Sequence, residues 1–112
     1  MEKKVVKMII YYVLSVYGDE ENNMEGCIKI TETFLEMLKN EETKLDGLLN
    51  LFPIAHPVSV LYSGIRETST EELIAVLERC REKFINYKEK NVNLKEIKDA
   101  KELEELCEDI VN

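Results

Sequence analysis

The stretch that most limits what this chain can fold into begins at Ser69. Ser69-Thr70-Glu71-Glu72 is a capping box, in which the Ser69 hydroxyl accepts from the Glu72 backbone N–H and the Glu72 carboxylate reaches back. From there to Lys90 neither Gly nor Pro interrupts the chain, and Leu73, Val76, Leu77, Cys80, Phe84 and Tyr87 recur at helical spacing. The pattern predicts one long helix with a single apolar face, which has to be buried against other elements.

The rest of the chain offers helices for that purpose. Between Val5 and Tyr17 the β-branched and aromatic content suits a buried strand as well as a buried helix. Length favours helix, and Gly18 stands where a left-handed C′ residue would end it. Cys27, Ile28, Thr31, Phe34, Leu35 and Leu38 predict a second helix from Met24 to about Asn40, and Leu45, Leu48, Leu49 and Phe52 a short third one stopped by Pro53. Pro57 suits the first turn of a fourth, with Val58, Leu61, Tyr62 and Ile65 on its apolar face. Asn93-Leu94-Lys95-Glu96 resembles a second cap, after which Ile97, Ala100, Leu103, Cys107, Ile110 and Val111 carry the last helix; Asp99 with Glu102 is an alternative restart. The expected core includes Leu35, Leu38, Leu48, Leu61, Leu73, Leu77, Phe84 and Leu103.

Composition narrows the class further. The 112 residues suit one domain, spanning 1–112, and 45% hydrophobic content is enough to bury a core. With 4 Gly, 2 Pro, 3 Phe and no Trp, the turn residues and aromatics of a many-stranded sandwich or barrel are missing. The expectation is an all-α protein, a compact bundle of five or six helices.

Charge is unevenly distributed. The net charge of −8 opposes general adsorption to nucleic acid or anionic membrane. Residues 19–78 hold 13 acids against 4 bases, residues 79–101 hold 8 bases against 4 acids, and residues 102–112 hold 5 acids and no base. A basic island therefore sits between two acidic blocks, and Lys3, Lys4 and Lys7 make the first residues mildly basic.

Few residues speak for catalysis or metal binding. Cys27, His56, Cys80 and Cys107 are the inventory of a zinc site, but they are widely spaced and each Cys falls on a helix's apolar stripe, where free Cys packs as a small hydrophobe. The odd, sparse Cys pattern reads as intracellular thiols rather than a disulfide framework. No nucleophile is tied by motif to His56, which reads as a loop residue. Glu20, Glu21 and Glu25, and Glu41, Glu42 and Asp46, lack the ligand alternation and Gly of a calcium loop and read as solvated acids. Tyr11, Tyr12 and Tyr17 read as core packing rather than base-stacking platforms. No catalytic residue, metal ligand or cofactor is assigned, and the chain is expected not to be an enzyme. The apolar run from Met8 to Leu14 is too short to span a bilayer, and Ser15-Val16-Tyr17-Gly18-Asp19 lacks an A-x-A cleavage pattern, so no membrane partner and a cytoplasmic location are expected.

The candidate site is the basic island. Arg79, Lys83 and Lys90, with Arg81 and Lys88 alongside, are read as a positive strip for phosphate contact, which Lys95, Lys98 and Lys101 extend if the last helix folds back. The competing reading gives these cations to the helix dipole and to local pairs with Glu78, Glu82 and Glu89.

Residues 50–66, Asn-Leu-Phe-Pro-Ile-Ala-His-Pro-Val-Ser-Val-Leu-Tyr-Ser-Gly-Ile-Arg, carry a family pattern: an Ala-containing turn, Val58 or Val60, then Leu61-Tyr62 and a terminal Arg66. The segment resembles the small subunit of the archaeal type I-A CRISPR interference complex. That resemblance implies a non-catalytic subunit packing in copies along a ribonucleoprotein and helping to hold the displaced DNA strand. The expected partners are thus other protein subunits of an assembly, and nucleic acid through the local basic strip only. The alternative expectation is a small acidic antitoxin or immunity-type protein that neutralises a basic partner through residues 19–46 and 102–109.

Overall fold

The computed structural model describes residues 3–17, 24–40, 64–97 and 100–111. The expected third helix and most of the fourth lie outside these, as do Gly18, Leu48, Leu61, His56, the carboxylates Glu20, Glu21, Glu41, Glu42 and Asp46, Lys98, and residues 50–63 of the family pattern. The described residues contain helices α1 (Lys3–Tyr17), α2 (Met24–Lys39), α3 (Thr70–Glu89), α4 (Leu94–Ile97) and α5 (Ala100–Val111), and no strand. The fold is all-α.

The first segment is a helix. Its buried side chains, Val5, Val6, Ile9, Ile10, Val13 and Leu14, come as adjacent pairs every four residues, which is a broad helical face and not the alternation of a strand. Tyr11, expected to pack in the core, instead lies on the opposite side and is 47% exposed. In α2 the buried face is Met24, Cys27, Ile28, Thr31, Phe34, Leu35 and Leu38. The Thr31 hydroxyl is tolerated there because it donates to the Cys27 carbonyl at 2.8 Å.

Both ends of α3 are built by local chemistry. Ser69 has extended backbone and accepts from the Glu72 N–H at 3.1 Å, as the capping box requires. At the other end Asn91 takes φ of 57°, its N–H donates to the Lys88 carbonyl at 3.1 Å, and the Val92 N–H donates to the Tyr87 carbonyl at 3.0 Å. This is a Schellman stop with Asn in the left-handed position and Val92 packed back on the core. The last segment is described as α4 and α5, and the alternative restart at Asp99 lies outside the described residues.

Packing closes a ring of four helices. The most extensive contact is α2 on α3, followed by α1 on α5 and α1 on α2, and α3 also meets α5; α4 packs on α5. The ring encloses Phe34, Phe84, Ile9, Ile10, Leu14, Ile65, Leu73, Leu77 and Ile110, all essentially without solvent contact. Each such side chain contributes about 1.5–3 kcal/mol of burial. Leu35, Leu38 and Leu103 are buried too, as are all three cysteines.

Before α3 the chain turns close against α1. Residues 64–66 are helical, Thr68 is buried, and its hydroxyl and N–H donate to the Gly64 and Ile65 carbonyls, each at 3.1 Å. A Cβ at Gly64 would stand 2.5 Å from Cγ2 of Val5, so glycine is what lets this turn approach α1.

Candidate nucleic-acid interface

The five cations assigned to the strip all lie on α3 or at its C-terminal cap, but not on one face. At about 100° per residue, Arg79, Lys83 and Lys90 fall within about 40° of one another, while Arg81 and Lys88 lie about 160–200° from Arg79. The buried stripe through Cys80 runs between the two groups. The structure therefore brings Arg79, Lys83 and Lys90 together on one flank and sets Arg81 and Lys88 on the other.

Each flank faces a neighbouring helix. On the first, Arg79 Nη1 donates to the Ile110 carbonyl at 2.8 Å and Lys83 Nζ to Asp109 Oδ2 at 3.4 Å, both on α5. On the second, Arg81 Nε donates to Glu32 Oε2 at 2.8 Å and Lys88 pairs with Glu25, both on α2. The Lys88 ammonium holds the Glu25 carboxyl below its usual range. Lys90 is exposed and has no ion-pair partner among the described residues. Four of the five cations thus meet groups on other helices rather than Glu78, Glu82 and Glu89 of their own. Lys101 is exposed on α5, and the side chain of Lys95, like Lys98, lies outside the description.

Two further cations converge on α5 from α1. Lys3 pairs with Glu104 and, at 2.9 Å, with Glu108; Lys7 reaches Glu104 at 3.3 Å. Hydrogen bonds to Glu104 and then Glu108 raise the Lys3 ammonium above its ordinary value, and those from Lys3 and then Lys7 lower the Glu104 carboxyl. The sequence places Lys3 and Lys7 at a basic end without linking them to the acidic block of residues 102–112. The available signal was the opposite sign of the first and last blocks, which invites pairing without fixing its register.

An open groove of about 460 Å³ runs between α2 and α3, with Leu35, Glu32, Glu36, Lys39, Glu78, Arg81 and Glu82 among its lining. Lys39 meets Glu78 at 3.0 Å and Arg81 meets Glu32 there. On the outward face of α3, Glu71, Glu78, Glu82 and Glu89 follow at seven, four and seven residues and are all exposed.

The thiols lie in the core. Burial, with a smaller effect of Cys107, pushes Cys80 up to about 12, and burial pushes Cys107 up to about 11. Both stay protonated at neutral pH, which disfavours nucleophilic or metal-ligating use. Among the described residues no three His, Cys, Asp or Glu side chains group to hold a metal ion. Nor is any helix among them long and apolar enough to cross a membrane. No family model matches this chain, nor does any curated protein or solved structure.

Proposed function

We propose that the chain is a non-catalytic, cytoplasmic helical subunit of a larger nucleoprotein assembly, of the type I-A CRISPR interference kind, which packs against other subunits and contacts a nucleic-acid strand. The observation that carries the strand contact is the row Arg79, Lys83 and Lys90 along one flank of α3. Arg79 and Lys90 are exposed, Lys83 is partly so, and the pair between Lys83 and Asp109 is open to solvent. Exposed pairs of this kind contribute about 0–1 kcal/mol, so a strand already positioned by the assembled particle can put a phosphate in the place of the carboxylate. The resemblance of residues 50–66 supports the choice of assembly. The acidic remainder of the surface then faces basic neighbours, and strand contact arises after assembly.

The test is charge reversal within the assembled particle. Arg79→Glu with Lys83→Glu should weaken its binding to nucleic acid in a salt-dependent way while the isolated chain keeps its helical circular dichroism. Unchanged binding would remove the strand contact from the proposal.

A second reading, a small acidic antitoxin or immunity-type protein, is favoured by the acidic row Glu71, Glu78, Glu82 and Glu89 on the outward face of α3. It expects loss of a protein partner when Glu71, Glu82 and Glu89 are changed, as when Glu41, Glu42 and Asp46 are, and indifference to Arg79 and Lys83.

A further inference from the structure

Helix α5 carries Glu102, Glu104, Glu105, Glu108 and Asp109 and no basic residue in its last turn. Its carboxylates and its negative C-terminal end meet cations from two other helices. Lys3 and Lys7 of α1 hold Glu104 and Glu108, Lys83 of α3 holds Asp109, and Arg79 of α3 donates to the Ile110 carbonyl. These cations lie 26 to 105 residues away in sequence from the groups they meet, and they converge from the two helices that flank α5.

The helix has another means of staying seated. Leu103, Leu106, Cys107 and Ile110 are buried on its underside, and that burial outweighs ion pairs whose side chains are about one-third to two-thirds exposed. The carboxylate row is therefore free to serve a purpose other than anchoring.

We infer that α5 is a built-in acidic shield: its carboxylates occupy Lys3, Lys7 and Lys83 as the phosphates of a strand would, and so keep the unassembled chain from binding nucleic acid. The inference rests on the strand-contact reading above and deepens it, naming what regulates that surface. Positive charge on α1 and α3 is screened at contact distance by α5, not merely diluted by the net charge of −8.

The test separates local shielding from net charge. The triple variant Glu104→Gln, Glu108→Gln, Asp109→Asn removes three negative charges next to the cations. The control Glu71→Gln, Glu82→Gln, Glu89→Gln removes three from the outward face of α3, where no ion pair holds them among the described residues. Binding of a labelled single-stranded oligonucleotide of about 20 nucleotides is followed by fluorescence anisotropy at 50 mM and 200 mM salt. Freeing three cations for phosphate contact adds about 2 to the salt exponent, so the α5 variant should lose about twentyfold more affinity across that range than the control. Asp109→Asn alone, which frees Lys83 and spares the α1 contact, should give an extra loss of about threefold. Adding Lys83→Gln should abolish that extra loss. Equal binding and equal salt dependence of the α5 and control variants, both folded by circular dichroism, would overturn the shield. If the assembled particle still responds to Arg79→Glu and Lys83→Glu in that event, the strand contact survives and only the shield falls; if it does not, both fall.

Discussion

Gly64→Ala sets two well-scaled effects against each other. Position 64 is helical, and in an open helix the change stabilises by about 1 kcal/mol because alanine loses less backbone entropy. Here the new methyl would sit 2.5 Å from Val5 Cγ2 and 3.4 Å from Cγ1, and Val5, only 8% exposed, has a β-branched side chain with few rotamers to retreat into. Relieving that overlap requires a shift of about 1 Å between the turn and α1, and overpacking on this scale costs about 1–3 kcal/mol. The clash should win, leaving a net loss of up to about 2 kcal/mol. At about 2 cal/mol/K per residue for the unfolding entropy, that lowers Tm by up to about 9 °C. Urea unfolding followed by circular dichroism at the helical band is the assay, and the decisive comparison is a double-mutant cycle. In a Val5→Ala background the methyl has room, so Gly64→Ala should there raise stability by about 0.5–1 kcal/mol. A stabilising Gly64→Ala in the parent, or the same sign in both backgrounds, would refute the close approach of this turn to α1.

Leu77→Ala, at a site 1% exposed in the middle of α3, should cost about 2–5 kcal/mol through the cavity it leaves, and an unchanged urea midpoint would count against the buried stripe. Ser69→Ala removes the acceptor for the Glu72 N–H and should cost about 1 kcal/mol in the same assay. The ion pairs between helices also give a pH signature. Glu104 and Glu25 have lowered folded-state pKa values, so their contribution is present above the ordinary carboxylate value near 4.5 and is lost as pH falls through the lowered values. Lys3 is raised, so its contribution is present below 10.5 and lost as pH rises through the folded value. Glu104→Gln should flatten the acid limb of the stability profile, and an acid limb identical to the parent's would contradict the pairing.

What could be read from the residues, and what could not, divides along the range of the interactions involved. The Ser69 N-cap, the stripe from Leu73 to Phe84 and the buried thiols follow from local chemistry and periodicity, and the structure has them. The helical state of α1 is less legible, because its β-branched residues fit either state until the pairwise burial of Val5–Val6, Ile9–Ile10 and Val13–Leu14 is seen. Asn91, an Asn just past the last periodic residue, is a legible stop signal, and it takes the left-handed conformation. Treating Arg79, Arg81, Lys83, Lys88 and Lys90 as one strip counted charge along the chain, whereas a helix turns it around the axis. Their partners were beyond sequence reasoning of this kind: Glu32 lies 49 residues from Arg81 and Glu25 lies 63 from Lys88, and only the packing of α2 on α3 sets which carboxylate meets which cation.

The central claim is that this chain works as part of a nucleoprotein particle, and co-expression with the proteins encoded beside it tests that most directly. Affinity purification of the tagged chain, followed by native mass spectrometry with and without nuclease, should give a multi-subunit particle that contains nucleic acid, with strand binding weakened by Arg79→Glu and Lys83→Glu. A one-to-one complex with a single basic protein, free of nucleic acid and unaffected by those two changes, would contradict the claim and leave the acidic surface as the working one.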